Sequence, residues 1–106
     1  MDMRDEWLYG LCSWAQQNDS IRELWLFGSR AGGTSRPDSD VDIAIALTAP
    51  RGKDDWALGN YFALGDQWQE ELKAIVGRHV SLEVILPGTP KDAHIRCTGK
   101  LLWARD

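Results

Sequence analysis

The feature that most restricts how this chain can fold is a loop rich in glycine and serine that joins two apolar runs. The first run ends at Gly28 and Ser29, and the second extends over residues 41–47. Asp40 and Asp42 stand at the start of the second run, and ten residues separate Ser29 from Asp40. We interpret the first junction as a phosphate-holding turn and the second as a metal-binding strand.

The second apolar run has the two-residue period of a β-strand. Its odd-numbered positions carry Val, Ile, Ile and Leu, while two alanines at even-numbered positions continue the face of Asp40 and Asp42. The two carboxylates therefore project to one side, with their Cα atoms about 7 Å apart. Such alternation is usually the solvated side of a half-buried strand. Here the alanines and the repulsion between like charges favour a bound cation instead.

A third carboxylate, Glu83, is a lone charge in the apolar run of residues 79–86, which predicts another strand. Alternation places Glu83 on one face with Ser81 and Ile85. If this strand adjoins the aspartate strand, three carboxylates meet beside the glycine–serine turn. Mg²⁺ takes one or two carboxylates together with water and substrate phosphates, and two such ions can clamp an in-line displacement. The alternative is a surface residue on an edge strand.

The residues of the turn suit a phosphate group. Ser29 can cap a helical turn, whose unpaired N–H groups bind phosphate oxygens. Gly28 has no Cβ and lets a ligand come close to the backbone. The guanidinium group of Arg30 adds a positive charge and further N–H donors beside those amides.

The remaining sequence predicts helices and strands that surround this stretch. Apolar residues at helical spacing predict helices that cover a sheet, and a short run that is apolar on both faces predicts a central strand. In chain order, the predicted elements are a helix over about 5–17, a central strand over 23–27, a long helix from Asp54 or Asp55 to Val76 that stops at Gly77, a short helix capped by Asp92 that ends at Gly99, and an edge strand over 101–103.

Length, charge and cysteine usage limit the classes of protein to which this chain can belong. Its 106 residues predict a single domain over 1–106, and its net charge of −4 argues against broad nucleic-acid binding. No apolar run approaches the length of a membrane span, and the charged N-terminus lacks the apolar segment of a signal peptide. Cys12 and Cys97 form no CxxC motif, so we expect free thiols in a reducing cytoplasm. A zinc site at His94 and Cys97 is disfavoured because further ligands are missing nearby in the sequence.

Taken together, these motifs resemble those of the minimal nucleotidyltransferases of the DNA polymerase beta superfamily. The family pattern is Gly-Ser followed at this spacing by Asp-x-Asp, usually with Arg after Gly-Ser and Ser before the first Asp. The matching residues of this sequence are Gly28, Ser29, Arg30, Arg36, Pro37, Ser39, Asp40 and Asp42. The resemblance covers the whole chain and implies an α+β fold, with a small mixed β-sheet and helices packed mainly on one face.

The resemblance also implies how the carboxylates act. Asp40 and Asp42 hold Mg²⁺, with two ions expected. Glu83 is the third carboxylate, which binds the catalytic ion and draws the proton from an attacking hydroxyl. Many relatives carry Asp at that place, so the longer arm of Glu83 is a departure from the family pattern.

The implied reaction moves a nucleoside monophosphate, AMP from ATP, to a hydroxyl and releases pyrophosphate. Gly28 and Ser29 bind the triphosphate, with Arg30 as a helper. Small members of the resembling family are often antitoxins encoded beside an all-helical HEPN ribonuclease toxin, and some modify a tyrosine of that toxin with AMP. The resemblance therefore implies a HEPN-type partner.

Two other interpretations stay open. One is a binding module with a weak nucleotide site, which inhibits the HEPN partner by contact alone. The other is nucleotidyl transfer to a small hydroxylated antibiotic, as in larger relatives. A chain of this length lacks room for the separate acceptor domain of those relatives, which counts against the antibiotic as acceptor.

Overall fold

The computed structural model describes residues 4–18, 20–28, 40–47, 56–86 and 88–105, and for 56–63 it describes the backbone alone. Ser29 and Arg30 of the turn lie outside these residues, as do the predicted starts of the long helix at Asp54 or Asp55. The described elements in chain order are α1 (Asp5–Gln17), β1 (Ile21–Phe27), β2 (Val41–Leu47), α2 (Trp56–Val76), β3 (Val80–Ile85), α3 (Pro90–Thr98) and β4 (Lys100–Ala104). Across these ranges, no helix has both the length and the apolarity to cross a membrane.

In the described part of the chain, four strands form one mixed sheet in the order β3-β2-β1-β4. β1 is antiparallel to both β2 and β4, whereas β2 and β3 are parallel and are joined through α2. The central position predicted for the first strand and the edge position predicted for the last are both confirmed. The start of β2 and the end of β1 therefore lie side by side at one end of the sheet.

The main hydrophobic core lies between one face of the sheet and the helices α1 and α2. Alternation in β1, β2 and β3 turns their branched apolar side chains toward these helices, and removal of this surface from water is the main force that stabilises the fold. The buried residues of this layer are Trp7, Leu11, Ala15, Ile21, Leu24, Leu26, Val41, Ile43, Ile45, Trp68, Leu72, Val76 and Val80.

The third described helix, α3, packs on the opposite face of the sheet. A smaller cluster forms there from Ala44, Ala46, Ile85 and Ile95, with Trp25 and Phe27 packed against it. Two of the described helices thus cover one face and a short helix covers part of the other. This arrangement confirms an α+β fold with helices mainly on one face.

The N-cap of α3 is Thr89, and the prediction of Asp92 in that role was wrong. The Thr89 Oγ1 accepts the Asp92 N–H at 3.3 Å, and Pro90 occupies the first turn. Asp92 itself lies in that turn, where its Oδ2 accepts the Gly88 N–H at 3.2 Å. Thr and Asp are both good caps, but Pro favours the first helical position and so marks the residue before it as the cap.

Two glycines fix how α2 ends and how closely α1 approaches it. Gly77 has a φ of +70°, and its N–H donates to the carbonyl of Lys73 at 2.8 Å. It is therefore the predicted helix stop. A Cβ on Gly10 would lie 2.6 Å from Cγ2 of Ile75, so the absence of a side chain there allows the two helices to pack closely.

The carboxyl end of α1 is capped from the far end of the chain. The last turn of α1 carries no basic residue. The guanidinium of Arg105 donates instead to the carbonyls of Ala15 at 3.0 Å and Asn18 at 3.2 Å, and also to that of Ile21 at 3.1 Å. Arg105 thereby ties α1 and β1 to the end of β4.

Candidate functional site

Strand register decides which polar side chains share the face that α3 partly covers. Asp42 pairs with Phe27 of β1 on one side and with Ser81 of β3 on the other, while Ala44 pairs with Glu83. Directly paired residues of neighbouring strands point to the same side of a sheet. Glu83 is therefore on the same face as Asp42, as a shared carboxylate site requires.

The end of β1 touches the start of β2 at Gly28 and Asp42. Gly28 has a φ of +73°, in the left-handed region that favours glycine. The space that a Cβ on Gly28 would fill is occupied by Oδ2 of Asp42. A side chain at position 28 is thus incompatible with this position of the carboxylate, and the first residue of the Gly-Ser motif lies directly against the second aspartate of Asp-x-Asp.

Asp40 directly precedes β2 and lies beside the residue that precedes β3. Its Oδ2 is 3.3 Å from Nδ1 of His79, and both side chains are more than half exposed. The Val41 N–H also donates to the His79 carbonyl at 3.0 Å. His79 is exposed, and its position beside Asp40 was not foreseen from the sequence.

Glu83 contacts a cationic side chain from α3. Its Oε1 is 3.0 Å from Nζ of Lys91, and the same Nζ is 5.9 Å from the ring centroid of Phe27. Lys91 is not among the site residues predicted from the sequence. The one sequence signal is its place in the first turn of a helix, where the macrodipole favours acidic residues and disfavours a cation.

A second group of charges attaches α3 to the sheet farther from the Gly-Ser motif. Nη2 of Arg96 is 3.0 Å from Oε1 of Glu23, its Nε is 2.6 Å from Oδ1 of Asp92, and its guanidinium stacks 5.5 Å from the ring of Trp25. Nε1 of Trp25 donates to the same Glu23 oxygen at 3.1 Å. The hydrogen bond from Arg96, assisted by the Gly88 N–H, lowers the pKa of Asp92, and the Asp92 and Glu23 bonds raise the pKa of Arg96.

Asp40, Asp42 and Glu83 match magnesium in chemical type. All are hard oxygen donors, and the register gives Asp42 and Glu83 a common face. Among the described residues, however, no three His, Cys, Asp or Glu side chains come close enough together to hold a metal ion. Oδ2 of Asp40 instead contacts His79, and Oε1 of Glu83 contacts Lys91.

The disfavoured zinc pair at His94 and Cys97 lies on α3. Both side chains are exposed, and neither belongs to a metal-binding group among the described residues.

A family model described as "Polymerase beta, Nucleotidyltransferase" matches residues 11–106. No curated protein matches the chain.

Several solved structures share the fold. A chain of a toxin–antitoxin complex with AMP-PNP has a TM-score of 0.66 at 20% identity, covering 93% of this chain and 74% of that one. A chain of the MntA–HepT toxin–antitoxin complex has a TM-score of 0.61 at 16% identity, covering 96% and 74%. A chain of the tri-AMPylated HEPN toxin in complex with MNT antitoxin from Shewanella oneidensis has a TM-score of 0.60 at 18% identity, covering 97% and 74%.

Proposed function

Because this chain belongs to the polymerase beta nucleotidyltransferase family, we propose that it transfers AMP from ATP to a hydroxyl acceptor in a magnesium-dependent reaction. The observation that carries the proposal is the contact between Gly28 and Asp42. It brings the turn that would hold a triphosphate against the strand that would hold the metal. Phosphoryl-group transfer needs both parts together, since catalysis there is mainly positioning and neutralisation of charge.

In this proposal the metal is held by Asp40, Asp42 and Glu83. Bound Mg²⁺ supplies charge neutralisation at the phosphates. Glu83 also accepts the proton of the attacking hydroxyl, whose oxygen bonds to the α-phosphorus. The bond from that phosphorus to the α–β bridging oxygen breaks, and pyrophosphate leaves.

The triphosphate is assigned to the turn. Gly28 offers a backbone that a phosphate can approach, because no Cβ stands over it. The motif assigns Ser29 to hydrogen bonds with the phosphate oxygens, and Arg30 adds a positive charge that can bind phosphate in a bidentate manner. Ser29 and Arg30 lie outside the described residues, so their assignment depends on the family motif.

We propose a tyrosine of a HEPN-type toxin as the acceptor and an antitoxin role for this protein. The support comes from the fold neighbours, one of which is a chain of a complex of tri-AMPylated HEPN toxin with MNT antitoxin. In this proposal residues 1–106 form one domain that supplies the nucleotide site, and the partner supplies the hydroxyl.

Cys12 and Cys97 are free thiols, and burial raises the pKa of Cys12. Free thiols agree with the cytoplasm as the place of action.

Labelling of the partner tests the transfer. The protein is incubated with α-³²P-labelled ATP, Mg²⁺ and the proposed HEPN-type partner, and the label on the partner is followed with time. We expect the wild type to label the partner and the double variant D40N/D42N to lose the label. D66N is the matched control, because it removes one carboxylate from the exposed surface of α2. Absence of label with the wild type, or full label with the double variant, would contradict the proposal.

A second candidate function is inhibition by contact with a weak nucleotide site. It is favoured by the contacts of Asp40 with His79 and of Glu83 with Lys91, because two of the three proposed metal ligands already have a basic partner. Toxicity of the HEPN partner separates the two functions. If D40N/D42N neutralises the partner as completely as the wild type, contact is sufficient. If the double variant leaves the partner toxic, transfer is the inhibitory step.

A further inference from the structure

The ammonium of Lys91 lies on the face of the sheet that carries Asp42 and Glu83. It contacts Glu83 on β3 at 3.0 Å, and it lies 5.9 Å from the ring of Phe27 on β1. β2 runs between these two strands, and neighbouring strands are about 4.8 Å apart. A group that reaches side chains of both β1 and β3 must therefore stand over β2. The residues of β2 at this level are Asp42, which pairs with Phe27, and Ala44, which pairs with Glu83.

Lys91 is a positive side chain at the end of α3 where the helix dipole is also positive. Lys91 is in the first turn of α3, next to Pro90, where the helix end carries partial positive charge. The other basic residue that α3 directs to this face, Arg96, is occupied by Glu23 and Asp92. Lys91 therefore supplies positive charge to Glu83 from a place where a helix ordinarily carries an acid.

We propose that Lys91 is a resident counter-cation of the carboxylate site and that a divalent cation must displace it from Glu83. This inference rests on the proposed function, because it assumes that Glu83 is a metal ligand. The ammonium and the metal compete for the same carboxylate oxygens, and their like charges exclude one another at that distance. Without metal, Lys91 relieves the repulsion between Glu83 and the aspartates. With metal, the pair between Lys91 and Glu83 opens.

The measurable consequence is that Lys91 weakens metal binding. In K91M, a side chain of similar length without charge, we expect Mn²⁺ alone to bind about fivefold more tightly than to the wild type, the upper range for loss of an exposed ion pair. K91R keeps the charge and should stay within about twofold of the wild type. K73M is the matched control, because it removes a lysine from the exposed surface of α2. Binding is measured from the electron paramagnetic resonance signal of free Mn²⁺ in titrations without nucleotide.

Thermal unfolding gives a second readout that does not depend on activity. In the metal-free state, K91M should unfold at a lower temperature than the wild type, because Glu83 then faces the aspartates without its counter-charge. Saturating Mn²⁺ should raise the unfolding temperature of K91M by more than that of the wild type. A rise that is equal in both proteins, or larger in the wild type, would overturn the inference.

The outcomes separate this inference from the proposed function. If the wild type binds Mn²⁺ and labels its partner, but K91M binds Mn²⁺ with equal or lower affinity, Lys91 does not compete with the metal and the proposed function stands. If the wild type shows no saturable Mn²⁺ binding that D40N/D42N removes, the proposed function and the role of Lys91 both fail.

Discussion

The two faces of the sheet are built by different means. The face under α1 and α2 consists of fully buried, mostly branched apolar side chains, such as Leu24, Leu26 and Ile43. The opposite face has a small apolar patch around Ile95, and beyond it the face carries carboxylates and their cationic partners. This chain therefore concentrates its stabilising core on one side of the sheet and leaves the other side free for polar chemistry.

The helices of the two faces are attached differently as well. α1 and α2 are bound through continuous apolar contact with the sheet. α3 has nine residues, of which Ile95 is the buried one, and it depends on Arg96 and Lys91 for further contacts with β1 and β3. Exposed ion pairs contribute little each, about 0–1 kcal/mol. The site face should therefore be less stable locally than the core face.

The largest effect on stability is expected from truncation on the core face. Leu72 of α2 is fully buried, so Leu72→Ala removes apolar contact and leaves a cavity. We expect the free energy of unfolding to fall by about 2–5 kcal/mol. This is a large share of the about 5–15 kcal/mol typical of a folded domain. Urea unfolding followed by tryptophan fluorescence measures the change.

Leu101→Ala is the matched control for this variant. Leu101 lies on the edge strand β4 and is 51% exposed, so the same truncation should cost well under 1 kcal/mol. Equal losses in the two variants would show that burial on the core face does not set the stability of this fold.

The core face is also the part of the molecule that sequence patterns predict best. The period of two in residues 41–47 assigned each side chain to its face correctly, and the helical period over 5–17 gave the bounds of α1. Burial of apolar surface produces these periods, so they can be recognised from the types of residues that lie close together in the sequence. The exact cap of α3 was missed, because Thr89 and Asp92 both have cap chemistry and lie three residues apart.

Sequence patterns predict the site face less completely. The motif predicted a site that combines Gly28 with the two aspartates, and the register then placed Glu83 on the face of Asp42. The ion pair of Lys91 with Glu83 depends on where α3 crosses the sheet. The position of α3 on the sheet depends on the packing around Ile95. The spacing of residues in the sequence gives no information about this packing.

The largest effect on activity is expected at the contact between Gly28 and Asp42, on which the site depends. Gly28→Ala adds a Cβ where Oδ2 of Asp42 lies, so either the turn or the carboxylate must move. Because a displacement of about 1 Å at a reacting centre can cost about 100-fold in rate, we expect a loss of that size in nucleotidyl transfer. The initial rate of partner labelling measures it.

Gly77→Ala is the control that separates the loss of transfer rate from the loss of stability that a positive φ causes in a residue other than glycine. Gly77 also has a positive φ, +70°, but nothing lies within 4 Å of the position of its missing Cβ. Both variants should lose about 1–2 kcal/mol of stability because an L-residue disfavours this conformation. The rate of Gly77→Ala should stay near that of the wild type. Equal rates in the two variants would mean that the contact with Asp42 has no part in transfer.

The smallest effect is expected from the contacts of Asp92 at the start of α3, and it appears as a dependence of stability on pH. Arg96 and the Gly88 N–H lower the pKa of Asp92 in the folded protein. The folded state therefore binds fewer protons than the unfolded state, so the contribution of Asp92 to stability is complete above the ordinary aspartate pKa of about 4 and is lost as the pH falls through the lowered value.

Asp92→Asn tests this dependence, because the amide oxygen can still accept the Gly88 N–H but does not titrate. We expect the free energy of unfolding to fall less steeply below about pH 4 in Asp92→Asn than in the wild type. The measurement is a series of urea unfolding curves from neutral to acid pH, with Asp66→Asn on the exposed surface of α2 as the control for loss of one carboxylate. Parallel profiles for the wild type and Asp92→Asn would show that the ionised Asp92 carboxylate adds nothing to stability, and the site face would then depend on charge less than its ion pairs indicate.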